Sequence, residues 1–223
     1  MVMLQMYLSK ELILMSKIDD CIYMAKRMLS DSIWKSTSIE GLGTSYPNTE
    51  CILNGIPVST TWEESTFITN MSRAWKLLFH NIGSRNDLLF LRTLHETCCN
   101  MLVKNAGDLR DGIVRVSGCS YIPEIPNIET VYRDLNEIDR IENPISKALV
   151  MFCYLTRSQL FWDGNKRMAQ LMTNKILIEN GIGILNFSIE SIPTFISLLT
   201  RFYDTGDSYE LCVFLRTNCI DFI

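Results

Sequence analysis

The stretch Gln159-Leu160-Phe161-Trp162-Asp163-Gly164-Asn165-Lys166-Arg167 constrains this chain more than any other. It sets a carboxylate, a glycine, an amide and two cations in consecutive positions between two apolar segments. Asp163-Gly164 is a turn signal, because glycine adopts backbone angles that other residues resist. Beyond it Met168, Leu171, Met172 and the run Ile176-Leu177-Ile178 recur at roughly helical spacing. The chain therefore leaves one helix, turns tightly and enters a second with its first amides open. Those amides, the helix dipole, Lys166 and Arg167 suit an anion, and Asp163 suits a divalent cation that bridges phosphate oxygens. The same residues also fit a plain helix–helix turn, with Asp163 as a cap and the cations in solvent.

The flanks support a mainly helical fold. Asn143-Pro144 starts the preceding helix, which carries Ile145, Ala148, Leu149, Phe152 and Gln159 on one stripe. Asn180-Gly181 stops the following one. Residues 4–35 read as a helix through Leu12, Leu14, Met15, Ile18, Ile22 and Ala25, closed by Ser36 to Gly41, and 42–59 as a loop. Thr60-Thr61 and Glu63-Glu64 start a helix to about Phe79, with Phe67, Ile68, Met71, Ala74, Trp75 and Leu78 inward. Further helices are expected over about 87–103, 128–140, 189–203 and 207–222. Ile113 to Gly118 alternates apolar and polar residues, which predicts a short strand or hairpin, the single β element of the chain.

Composition excludes several classes. A hydrophobic fraction of 47% and a charged fraction of 21% in 223 residues describe one globular domain. A net charge of -4 argues against a nucleic-acid binder. No apolar run reaches the roughly 20 residues that span a bilayer, and Lys10, Glu11, Lys17, Asp19 and Asp20 interrupt any signal-peptide core. The expectation is a cytoplasmic protein with neither membrane nor nucleic acid as partner. The eight cysteines include no Cys-x-x-Cys pair, which points to free thiols. His95-Glu96 starts like a zinc-protease helix, but Cys99 stands where the second His would be needed.

Gln159 to Arg167 resembles the Fic motif, His-Pro-Phe-x-Asp/Glu-Gly-Asn-Gly/Lys-Arg, matching at Phe161, Asp163, Gly164, Asn165, Lys166 and Arg167. Ala106-Gly107-x-x-Arg110 and Val114-Arg115-Val116-x-Gly118 look like that family's flap hairpin, and Ser36-x-x-x-Glu40-Gly41 is similar to its inhibitory helix signature. The resemblance implies a single Fic-type (Fido) helical bundle over 1–223. It would have an N-terminal helix and inhibitory segment at about 1–41, a flap hairpin at about 106–122 and a core helix pair at 144–181. It implies ATP, or another nucleotide, held with Mg²⁺ on Asp163, phosphates cradled by Gly164 and Asn165, and charge neutralised by Lys166 and Arg167. A protein target would dock by strand addition on Val114, Arg115, Val116 and Gly118, and Ser36 and Glu40 would inhibit; an oligomer is compatible with all of this. The implied activity is transfer of AMP from ATP to a target hydroxyl.

Three departures bear on the chemistry. Gln159 stands where the family has its His base, and an amide has no useful proton affinity near neutrality. Lys166 resembles the Doc branch, which transfers the γ-phosphoryl group. Gln170 stands where a second Arg would pair with Glu40, leaving that carboxylate without its expected ionic partner. The readings left open are an AMP-transferase with a weakened base, a catalytically silent nucleotide- or phosphate-binding regulatory module, a Doc-like phosphotransferase, and a helical interaction module with no ligand.

Overall fold

The computed structural model describes residues 2–223, with side chains from Leu12 onward. In chain order the elements are α1 (Val2–Arg27), α2 (Leu29–Ile39), α3 (Tyr46–Leu53), α4 (Trp62–His80), α5 (Leu88–Cys99) and α6 (Ile128–Asp139). There follow α7 (Pro144–Ser158), α8 (Asn165–Glu179), β1 (Gly183–Leu185), α9 (Ile192–Thr205), α10 (Tyr209–Phe214) and β2 (Ile220–Phe222). The fold is mainly α, with one antiparallel strand pair among the described residues.

α8 is the axis. Every residue from Asn165 to Ile178 except Lys166 is buried, so the helix is enclosed on all sides rather than on one face. α7 packs along its length, and α4, α5 and β1 close the rest. The polar residues on α8 are tolerated because they find partners. Asn174 exchanges both hydrogen bonds with the backbone of Leu185. Lys175 donates to the Ser84 carbonyl, Asn86 and Glu179 at 2.7–2.9 Å. A buried charge without such partners would cost several kcal/mol, on the order of the 3–5 seen when ion pairs are broken.

Local signals place the helix starts. Thr61 and Glu64 form a reciprocal capping box at α4, whose expected inward residues are all buried. Asp87 caps α5, Asn127 caps α6, and Asn143 with Pro144 starts α7.

The structure differs from the sequence reading in several places. The first expected helix is broken at Met28, and α2 runs through Ser36 to Ile39 instead of closing there. Leu12, Leu14 and Met15 are exposed; full burial on α1 begins only at Cys21 and Ala25. The expected loop 42–59 contains α3, started by Ser45 and Pro47, which buries only Thr49 and so gave no periodic signal. α5 stops at Cys99, short of Val103. The last expected helix ends at Phe214, passes through a π turn and becomes β2, which pairs with β1 in the register Gly183↔Phe222.

That strand pair is not where the sequence placed a strand. Residues 113–118 form no ladder. The alternation is real, since Ile113 and Arg115 are exposed while Val114 and Val116 are half-buried, but no neighbouring strand offers its backbone. A strand exists only with a partner.

Candidate functional site

The turn between α7 and α8 is built by its own side chains. α7 ends on Gln159, held in the left-handed region at φ 46°, ψ 58°. The next left-handed residue is Gly164 at φ 79°, the residue before α8. A Cβ there would lie 2.4 Å from Cys99 Sγ, so both conformation and space require glycine. Asn165 closes the loop: its Oδ1 accepts from Phe161 N at 3.0 Å, and its Nδ2 donates to the Phe161 carbonyl and to Gln159 Oε1. Phe161 is fully buried and stacks on His95 at 3.7 Å. His95 Nδ1 accepts from Gly107 N at 2.8 Å, which leaves Nε2 to donate to the Asp163 carbonyl at 2.9 Å. The imidazole is therefore a neutral pillar under the turn.

The turn opens on a cleft of 310 Å³. Asp163, Asn165 and Lys166 form its floor, Val114 to Ser117 one wall and Tyr203 of α9 another. α8 has no side-chain cap, so the amides of Asn165, Lys166 and Arg167 have no helical acceptor. The Asp163 carboxylate is largely exposed; Oδ2 accepts from Arg167 Nη2 at 2.9 Å. Arg167 itself lies behind the floor, 3% exposed, with its guanidinium 5.1 Å from the Phe67 ring centre. Burial pushes the Tyr203 phenol well above its ordinary pKa, so it remains a proton donor.

The end of α2 is seated on this floor. Lys166 Nζ binds Glu40 Oε2 at 3.0 Å and the Ile39 carbonyl at 3.2 Å. Glu40 Oε1 approaches Arg167 Nε at 3.7 Å without a hydrogen bond. One turn earlier on α2, Ser36 Oγ donates to Gln170 Oε1 at 2.9 Å.

Residues 86–177, which run from the α5 cap through the turn and most of α8, match the Fic/DOC family model. No curated protein matches the chain. Among solved structures, residues 134–508 of Fic-1 from C. elegans superpose with a TM-score of 0.70 at 19% identity, covering 95% of this chain and 69% of that one. A Fic family protein from Desulfovibrio desulfuricans gives 0.71 at 15%, covering 92% and 70%. IbpAFic2, solved in complex with adenylylated Cdc42, gives 0.51 at 15%, covering 89% and 86%. At these identities the likeness is one of fold, and the chain has the Fic fold.

Within that fold the sequence-predicted residues divide. Gln159, Asp163, Asn165, Lys166, Val114, Arg115, Val116 and Glu40 share the cleft. Gly164 and Arg167 sit beneath it, and exposed Gly118 lies in the turn that leaves the wall. The Asn165 side chain, expected to cradle phosphate, is spent on the loop, and at the uncapped helix start its backbone amide has no helical acceptor. Glu40, expected to lack an ionic partner opposite Gln170, pairs instead with Lys166, while Gln170 takes up Ser36.

Two residues that hold the site in place, His95 and Arg110, figure in the sequence only within the rejected zinc pattern and the flap pattern, without the roles they have here. His95 lies in an apolar stripe with Leu91, Leu94 and Cys98, and nothing in that stripe says which loop it will support. Arg110 is 1% exposed and donates to the carbonyls of Gln159, Gly112, Pro123, Glu124 and Ser158. It thereby ties the base of the flap segment to the end of α7, and burial lowers its pKa below the usual arginine value. Gly112 packs so closely on Trp162 that a Cβ would meet the indole at 2.5 Å, a second link between flap and motif.

Proposed function

We propose that this chain binds a nucleotide through its phosphates at the start of α8 and presents the flap segment to a protein partner, with transfer of AMP to that partner slow for want of a base. One observation carries the reading: the uncapped start of α8, with Lys166 and Asp163, forms the floor of a cleft walled by an unpaired extended segment. Helix starts of this kind are ready anion sites. Arg167, beneath that floor, adds positive charge behind the helix start, with Nε facing Glu40 Oε1 at 3.7 Å.

Magnesium fits the donor set. Among the described residues no cluster of three His, Cys, Asp or Glu forms a metal cage, and Mg²⁺ is commonly held by one carboxylate together with substrate phosphates and water. Asp163 would supply that carboxylate through Oδ1. Bound there, Mg²⁺ would neutralise phosphate charge.

Gln159 sets the limit on chemistry. Its Nε2 donates to the Thr156 carbonyl at 2.6 Å and its Oε1 accepts from Asn165, so the amide is oriented but removes no proton. The remaining lone pair on Oε1 can position a target hydroxyl. Strand addition of a target to residues 113–116 would supply the ladder those residues lack. The complex of IbpAFic2 with adenylylated Cdc42 supports a protein as the docking partner. Lys166 supports a second reading, γ-phosphoryl transfer in the manner of Doc.

Melting of the protein with and without MgATP tests the binding. ATP with Mg²⁺ should raise Tm, and Asp163→Ala should shrink the rise. A flat response to ATP, ADP and GTP alike would overturn the proposal. ATP labelled at the α or at the γ position separates the two transfer readings.

A further inference from the structure

Away from the cleft, α7 and α10 bring two thiols together. Cys153 Sγ and Cys212 Sγ lie 3.5 Å apart across 59 residues of chain, both unbonded. A disulfide bond is about 2.05 Å long, so the gap left to close is about 1.5 Å. The pair lines a cavity of 620 Å³ that opens to solvent, with Tyr154, Arg157 and Asp134 on its other walls. Four of the remaining cysteines, Cys21, Cys98, Cys99 and Cys219, are fully buried.

The two thiols are not equivalent. Cys153 is 9% exposed and Cys212 half-buried. The hydrogen bond from Cys153, helped by Ser208, holds the Cys212 thiol down to about 7, whereas the same bond and burial push Cys153 up. Cys212 is thus the more acidic and the more accessible of the two sulfurs, and Cys153 the thiol beside it. This is the division of labour between an attacking and a resolving cysteine.

We propose that Cys212 and Cys153 are a peroxide-reactive pair, the cavity admitting a hydroperoxide and the product being a disulfide that staples α7 to α10. The Cys212 thiolate attacks one oxygen of the O–O bond. That bond breaks, the departing alkoxide or hydroxide takes a proton, and Cys212 becomes a sulfenic acid. The Cys153 sulfur then attacks the sulfenic sulfur, and water leaves. In sum two thiols are oxidised to a disulfide and one peroxide is reduced to two molecules of water, or of alcohol and water. The staple would fix α7, which ends on Gln159, to α10, which follows the cleft-lining α9. It uses no residue of the nucleotide reading and stands or falls apart from it.

The test treats the reduced full chain with one equivalent of hydrogen peroxide and maps unreduced peptides by mass spectrometry. The Cys153–Cys212 cross-link should dominate, raise Tm, and be reversed by dithiothreitol. In Cys153→Ser, dimedone should label Cys212. Dominant oxidation at any other cysteine, or thiols at 153 and 212 that survive the equivalent of peroxide, would overturn the proposal. The wild-type map needs no substitution, so a poorly folding variant does not shield it.

Discussion

Gln159 stands where the resemblance puts a catalytic base, and its own chemistry is that of a tether. Its amide is fixed at both ends, and its left-handed backbone points it into the cleft at a conformational cost that a non-glycine residue bears of about 1 kcal/mol. Replacing Gln159 by His keeps that backbone and restores a proton acceptor. A positioned base contributes roughly 10²–10⁴-fold in rate, so Gln159→His should raise label transfer from ATP by that order; equal transfer by both proteins would place the base elsewhere. Gly164 is the other residue on which the turn depends. Gly164→Ala meets Cys99 Sγ and a positive φ together, and should cost about 3 kcal/mol in urea unfolding.

On the proposed reading, α2 is the element that would set access to the site. Its last turn supplies the carboxylate that neutralises Lys166, so a phosphate at the start of α8 competes with Glu40 for that cation. A partly exposed ion pair is worth up to about 1 kcal/mol. Glu40→Gln should therefore tighten MgATP binding by about 3- to 5-fold, measured by calorimetry, and Ser36→Ala should act in the same direction through Gln170. The start of α4 offers a test by pH. Glu64 is held down to about 2 from 4.5, first by the Thr61 amide and then by the threonine hydroxyls around it. A depressed carboxylate stabilises the fold fully above 4.5 and loses that contribution as pH falls towards 2. The stability gap between wild type and Glu64→Gln should therefore be constant above about pH 5 and shrink below it.

At the scale of the molecule, Arg110 joins parts that the chain keeps far apart. It gathers the carbonyls of the flap base, of Pro123 and Glu124, and of the end of α7 on one buried guanidinium. Arg110→Met leaves those carbonyls unpaired and should cost on the order of 3 kcal/mol. Hydrogen exchange should rise over 112–124 and 158–160 together; a rise confined to one of them would mean that Arg110 does not couple the two. The same distinction explains what was legible beforehand. The helix starts at Thr61, Asp87 and Asn143 and the turn at Gly164 depend on residues within a few positions of each other, and each was readable. α3, β2 and the pillar His95 depend on partners far along the chain.

Local signals in the amino-acid order suffice for a mainly helical chain and for a glycine turn that opens a helix start flanked by a carboxylate and a lysine. Caps, turn residues and helical spacing act within one or two turns, so they are written locally. Long-range packing sets the rest: α8 is enclosed on every side, Lys166 rather than an arginine meets Glu40, and the strand pair joins residues 183–185 to 220–222 and leaves residues 113–118 unpaired. Those outcomes rest on which surfaces meet when the helices pack, and a short stretch of sequence does not carry that information.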